Sequence, residues 1–308
     1  MKKHTFQHMI RVTMLALLVI GCSSQDPASQ RPTATPMPSG TVDVGGYKLF
    51  YQCSGQGSPT VILEAGSGTD SSTWSGVIVG VEGTTRVCAY DRAGLGRSDR
   101  APAPRTYADM TGDLDTLLER AQIEGPYVLV GWSMGGDLVR LFTSQHPEDV
   151  VGMVLVDSAH PGMAGRLLAS LPPETADETE AIAFLRDWFT CMEDASSCLV
   201  EGADGLDSRT SREQMQAVGP LGDLPLVVIT QNPDARGLGY RDYAAMEPFP
   251  EETDAKIRRI WQDLQSELVG LSSNSTQVFA QGGHGIPIEE PQLVVDAILE
   301  LVNEIRSR

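Results

Sequence analysis

Positive charge is scarce in this 308-residue chain: 23 Lys and Arg stand against 41 Asp and Glu, for a formal net charge of −18. So acidic a surface repels phosphate backbones and argues against a nucleic-acid partner. Aromatics make up only 6% of the residues. Five His and five Cys leave little for a metal centre, with no Cys-x-x-Cys pair and no His close to a Cys. The apolar run 14–20 is too short to span a bilayer, and there is no internal repeat. The remaining composition, 41% hydrophobic and 21% charged, is ordinary for a globular protein. The length suits one large α/β domain with an insertion, or two small domains.

The amino terminus reads as a targeting segment. Lys2, Lys3 and Arg11 precede the apolar run, a basic-then-apolar order typical of secretory signals. The run ends in Val19-Ile20-Gly21-Cys22-Ser23, which resembles a bacterial lipobox, although Val19 stands where Leu is more usual. Residues 1–22 are thus expected to be a lipoprotein signal ending at a lipidated Cys22; an ordinary cleaved signal peptide is the alternative. Residues 23–40, with Pro27, Pro32, Pro36 and Pro38 among Ser, Thr and Gln, read as a disordered tether. The expected location is the cell envelope, anchored to a membrane through Cys22, or secreted and soluble. Export fits the remaining cysteines, Cys53, Cys88, Cys191 and Cys198, whose even number allows two disulfides. Cys191 and Cys198 are close enough to staple one loop. Cys53 and Cys88 fall in two expected strands that would have to be neighbours.

Hydrophobic periodicity places strands at 41–44, 47–53, 59–64, 86–90, 126–131, 150–156, 224–230 and 276–280, and helices at 107–121, 134–146, 251–270 and 291–305. Strands alternating with helices imply a mostly parallel eight-stranded sheet covered on both faces. Residues 41–160 and 223–308 form this core. Residues 161–222 break the rhythm, with helix-like pieces between acidic turns, and read as a helical cap over the carboxyl edge of the sheet.

One strand runs straight into Gly131-Trp132-Ser133-Met134-Gly135 and then into a helix. That context defines a nucleophile elbow, in which a sharp turn lifts a serine hydroxyl above the sheet. The flanking positions must be Gly or very small, because neighbouring backbone lies close to both. The helix beginning at Met134 points its positive end at the site. A serine hydroxyl alone is a weak nucleophile and needs a base. His284, in Gly282-Gly283-His284-Gly285 after the last strand, is on a loop that can turn the ring toward Ser133.

With these residues the chain, from Thr41 onward, resembles the α/β-hydrolase family, in its epoxide-hydrolase-like and peptidase-like branch. Leu63-Glu64-Ala65-Gly66-Ser67-Gly68 stands where that family has a His-Gly turn, with Ala65 replacing the His. The resemblance implies an oxyanion hole from the N–H groups of Ser67 and Met134. Asp91-Arg92-Ala93-Gly94-Leu95-Gly96-Arg97-Ser98 resembles a family segment whose role is loop architecture. The family's sheet order would bring Cys53 beside Cys88 and so implies a disulfide there. The chain order nucleophile, acid, base is also the family's. Two carboxylates compete for the acid: Asp157, at the end of the 150–156 strand, and Asp234, at the family's more usual position after the 224–230 strand. Asp157 is preferred, because sequences resembling this one keep the earlier Asp.

The resemblance implies an enzyme that cleaves small carboxylic esters through an acyl-enzyme, without metal or organic cofactor. Aminopeptidase-like or lactonase activity on the same residues is the alternative. A non-catalytic surface lipoprotein that binds a ligand is the alternative of another class. Epoxide and haloalkane chemistry is disfavoured, because it needs Asp where Ser133 stands.

Overall fold

A computed structural model describes residues 39–193, 205–234 and 250–308. Cys22, Cys198, the 1–22 leader and nearly all of the 23–40 tether therefore lie outside the described residues. No described helix is long and apolar enough to cross a membrane.

Eight strands form one sheet in the order β1-β2-β4-β3-β5-β6-β7-β8. They are β1 (Ser39–Asp43), β2 (Lys48–Ser54), β3 (Thr60–Glu64), β4 (Val87–Tyr90), β5 (Tyr127–Trp132), β6 (Val150–Val156), β7 (Leu226–Thr230) and β8 (Ser275–Phe279). β1 pairs antiparallel with β2, and β2 antiparallel with β4; every other pairing is parallel. This is the fold class the periodicity predicts. Cys53 lies directly opposite Cys88 across β2 and β4, and the two are joined by a disulfide. Cys191 is also disulfide-bonded.

The central strands are buried throughout, as strands covered on both faces must be. Alternation sorts their side chains. Val61, Leu63, Val128 and Val130 face α1 (Ser75–Val81) and α9 (Pro291–Ser307). Ile62 and Leu129 face α2 (Tyr107–Arg120) and α3 (Met134–Gln145). The α2 start is fixed by a capping box: Thr106 Oγ1 accepts from Asp109 N, and the Asp109 carboxylate accepts from Thr106 N.

The 161–222 stretch carries α4 (Met163–Ser170), α5 (Glu180–Glu193) and α6 (Ser208–Gln216). Two apolar seams hold it down. Leu167, Leu185 and Phe189 pack with Ile257, Trp261 and Leu264 of α7 (Glu251–Val269). Met215 packs with Tyr107, Met110, Met134 and Leu138. Each such side chain contributes about 1.5–3 kcal/mol on burial. Phe189 is therefore a packing residue, whereas Phe184 is exposed. The short α8 (Ile286–Glu289) follows the His284 loop.

Candidate active site

At the end of β5 the chain reverses within one residue. Ser133 has φ 54° and ψ −123°, and it precedes the first turn of α3. A non-glycine residue at positive φ costs roughly 1–3 kcal/mol, so its surroundings must hold it. Ser133 N donates to Val156 O at 3.1 Å, and Ser133 O accepts from Ala159 N at 2.9 Å and Gly136 N at 3.0 Å. The two flanking glycines are required by backbone contacts. A Cβ on Gly131 would lie 2.4 Å from Gly135 O, and one on Gly135 would lie 2.4 Å from Glu64 O. Ser133 is buried, with 7% of its surface exposed.

His284 sits in the loop between β8 and α8 and is also buried. Its Nδ1 lies 2.6 Å from Asp157 Oδ2. Two further groups fix that carboxylate: Trp261 Nε1 donates to Asp157 Oδ1 at 2.8 Å, and Gln231 N donates to the same oxygen at 3.0 Å. Asp157 has φ 41° and no exposed surface. Its own N donates to Ile229 O at 2.6 Å. An ionised Asp157 places the ring proton on Nδ1 and leaves Nε2 a lone pair, the tautomer a base needs. Trp132 ties the two loops together: its Nε1 donates to His284 O at 2.8 Å, and the two rings lie 5.4 Å apart. Trp261 meets the His284 ring edge-on at 5.9 Å.

Asp234 is elsewhere. It is exposed, and its N donates to Asn232 Oδ1 at 2.8 Å. Among the described residues its carboxylate has no hydrogen-bond or ion-pair partner. The tie between that loop and the His284 loop is Asn232, whose N donates to Gly282 O at 2.9 Å.

The turn after β3 closes over the nucleophile. A Cβ on Gly66 would lie 3.4 Å from Ser133 Cβ and 2.9 Å from Trp132 Cε3. Ser67, exposed, follows Gly66, and Met134, buried, follows Ser133. Both expected oxyanion donors thus flank the point where Gly66 and Ser133 meet. The carbonyls of Ala65 and Gly66 are held from behind by the buried Arg92. The sequence reading missed three of these contacts: Trp261 reaches Asp157 from a distant segment, Trp132 beside Ser133 reaches across to the His284 loop, and Arg92 grips the turn after β3. Among the described residues, no cluster of His, Cys, Asp and Glu is arranged to hold a metal ion.

A cavity of about 50 Å³ lies between α4–α6 and α2–α3, lined by Tyr107, Asp137, His160, Met163, Met192 and Met215 among others. Ala159, whose N–H binds the Ser133 carbonyl, borders it. Burial raises Asp137 to about 6, against the lowering effect of Arg140 at 3.3 Å. Burial, with Arg140 and Arg166 nearby, lowers His160 to about 4, against the raising effect of Glu267.

A model of the alpha/beta hydrolase fold family matches residues 59–190, a span that includes Ser133 and Asp157. The chain is 27% identical to the uncharacterized protein YqjL of Bacillus subtilis (strain 168), over 80% of this chain and 85% of that one. A probable transporter of Hormonema carpetanum is also 27% identical, but this chain spans only 43% of it. A haloalkane dehalogenase loop variant from Bradyrhizobium elkanii superposes with a TM-score of 0.63 at 14% identity, covering 88% of this chain and 98% of that one. A thermophilic esterase from Thermogutta terrifontis gives 0.55 at 20% identity, covering 87% of this chain and 99% of that one. At such identities a structural likeness speaks for the fold alone. The sheet order, the strained serine turn and these matches together show that the chain has the α/β-hydrolase fold, and they support its place in the α/β-hydrolase family.

Proposed function

We propose that this chain is a serine hydrolase that cleaves small carboxylic esters through an acyl-enzyme. One observation carries the reading: a buried carboxylate, Asp157, is bonded to Nδ1 of a buried His284 that is tied to the strained turn of Ser133. Ser133 Oγ attacks the ester carbonyl while His284 Nε2 takes the hydroxyl proton. The carbonyl electrons move to oxygen, and the N–H groups of Ser67 and Met134 hold the oxyanion. On collapse the C–O bond to the alcohol breaks, and His284 returns the proton to the leaving alcohol. Water then repeats the sequence with His284 as base and releases the acid. Asp157 keeps its charge throughout and stabilises the imidazolium. An esterase and a haloalkane dehalogenase share this fold, so the fold alone does not choose the reaction.

A fluorophosphonate probe tests this directly. Wild type should label, and Ser133→Ala should not. Absence of labelling in wild type, or equal labelling of the variant, would end the serine-hydrolase reading. A panel of esters, anilides and lactones of graded chain length then tests the substrate class, with esters expected to turn over fastest. We also propose export with a lipid on Cys22, which intact-mass analysis of the membrane fraction checks through a diacylglyceryl mass on that residue.

A further inference from the structure

Arg92 lies two residues past β4, and its side chain is almost wholly buried, at 4% exposed. A guanidinium in such a place needs strong partners. Nη1 donates to Glu64 Oε1 and to Ala65 O, both at 2.7 Å, and Nη2 donates to Gly66 O at 2.5 Å. Glu64 is equally buried and also accepts from the Tyr90 hydroxyl. Beside the charge pair, two donors of the planar fork go to two consecutive backbone carbonyls of the turn that covers Ser133.

The second carbonyl matters most. The Gly66–Ser67 peptide is trans, and in a trans peptide the C=O and N–H bonds point in opposite directions. Gly66 O is gripped from one side by Arg92 Nη2 at 2.5 Å, Thr69 Oγ1 at 3.0 Å and Thr69 N at 3.3 Å. The N–H of Ser67 is thereby aimed to the opposite side. We infer that Arg92 is the positioning residue of the oxyanion hole: by holding the Gly66 carbonyl it fixes the direction of the Ser67 N–H, while Glu64, itself bonded by the Tyr90 hydroxyl, holds Arg92. This inference rests on the serine-hydrolase reading and adds a role for the Asp91–Ser98 segment beyond loop architecture. A lysine is a poor substitute, because an ammonium lacks the rigid fork that reaches both carbonyls.

The test compares wild type with Arg92→Lys, Arg92→Met and the double variant Arg92→Met/Glu64→Gln. The double variant removes both charges, so no lone ion is buried and folding is retained for measurement. On a p-nitrophenyl ester, losing an oriented oxyanion donor should lower kcat about 10²–10³-fold with little change in KM. Arg92→Lys should fall between wild type and Arg92→Met. A trifluoromethyl ketone, which forms a tetrahedral oxyanion on Ser133, should lose affinity in step with kcat, whereas the product carboxylic acid should not. A loss of stability alone would not split these two inhibitors. The inference is overturned if the folded double variant keeps wild-type kcat, or if both inhibitors weaken equally. Failure of the underlying reading looks different, since wild type itself would then neither label nor turn over ester.

Discussion

Asp157 Oδ2 and His284 Nδ1 stand 2.6 Å apart across 127 residues of sequence. The contact is part of a closed arrangement, because Trp261 and Gln231 occupy the other carboxylate oxygen. Asp157 is thus held by three groups, and no described contact joins the exposed Asp234 to them.

The two acids are therefore separable by mutation. Asp157→Asn keeps the size but puts an amide donor against Nδ1, which favours the wrong imidazole tautomer. Its kcat should fall about 10³–10⁴-fold. Asp234→Asn should stay within about twofold of wild type. Steady-state ester hydrolysis by both variants decides the assignment, and the reverse order of losses would transfer the role to Asp234.

The glycines of the serine turn make a second prediction. A Cβ on Gly135 meets two backbone oxygens, Glu64 O at 2.4 Å and Ala65 O at 2.7 Å, neither of which can swing aside. Gly135→Ala should cost about 3 kcal/mol or more in urea denaturation and abolish activity. Gly112, exposed in the middle of α2 with nothing within 4 Å of a Cβ, is the control. Gly112→Ala should stabilise by about 0.5–1 kcal/mol.

His160 predicts an acid-side loss of stability. Its Nδ1 accepts from Gly162 N at 3.0 Å, so that nitrogen is unprotonated. The folded pKa, lowered to about 4 chiefly by burial, lies below the ordinary 6.5 of the unfolded chain. As pH falls through 6.5 the unfolded state takes up a proton that the folded state refuses. The stability present above pH 6.5 is thus lost progressively toward pH 4, by up to about 3 kcal/mol. Denaturation curves at pH 7, 5 and 4 should show this slope in wild type and a flatter one in His160→Asn. Equal slopes would remove His160 from the account.

The disulfide across β2 and β4 closes a loop of sequence separation 35. Limiting the unfolded chain in this way is worth about 4 kcal/mol in the chain-entropy model. The double variant Cys53→Ala/Cys88→Ala should unfold at correspondingly lower denaturant under oxidising conditions. Wild type with reductant should shift the same way, and an unshifted midpoint in both would count against the bond's contribution.

Much of this molecule was legible because its signals are local. Val61-Ile62-Leu63 and Val128-Leu129-Val130 are short apolar runs introduced by Pro59 and Pro126, and both faces are apolar because both are covered. Element boundaries in 161–222 were harder to read: α6 begins at Ser208 because the Asp207 side chain caps it by accepting from Thr210 N.

The sequence by itself determined the sheet class and the Gly131–Gly135 turn, because strand, turn and helix there follow one another within a few residues and each dictates the next. It also put Asp157, Asp234 and His284 at the ends of strands, where side chains can reach a shared edge. Which carboxylate touches the imidazole, which tryptophans hold both, and what Arg92 grips were decided only by tertiary packing. Those contacts join β6 to α7 and the β8–α8 loop, and β4 to β3, and their directions depend on how whole elements stack. Neither the spacing nor the chemistry of a single segment contains that information.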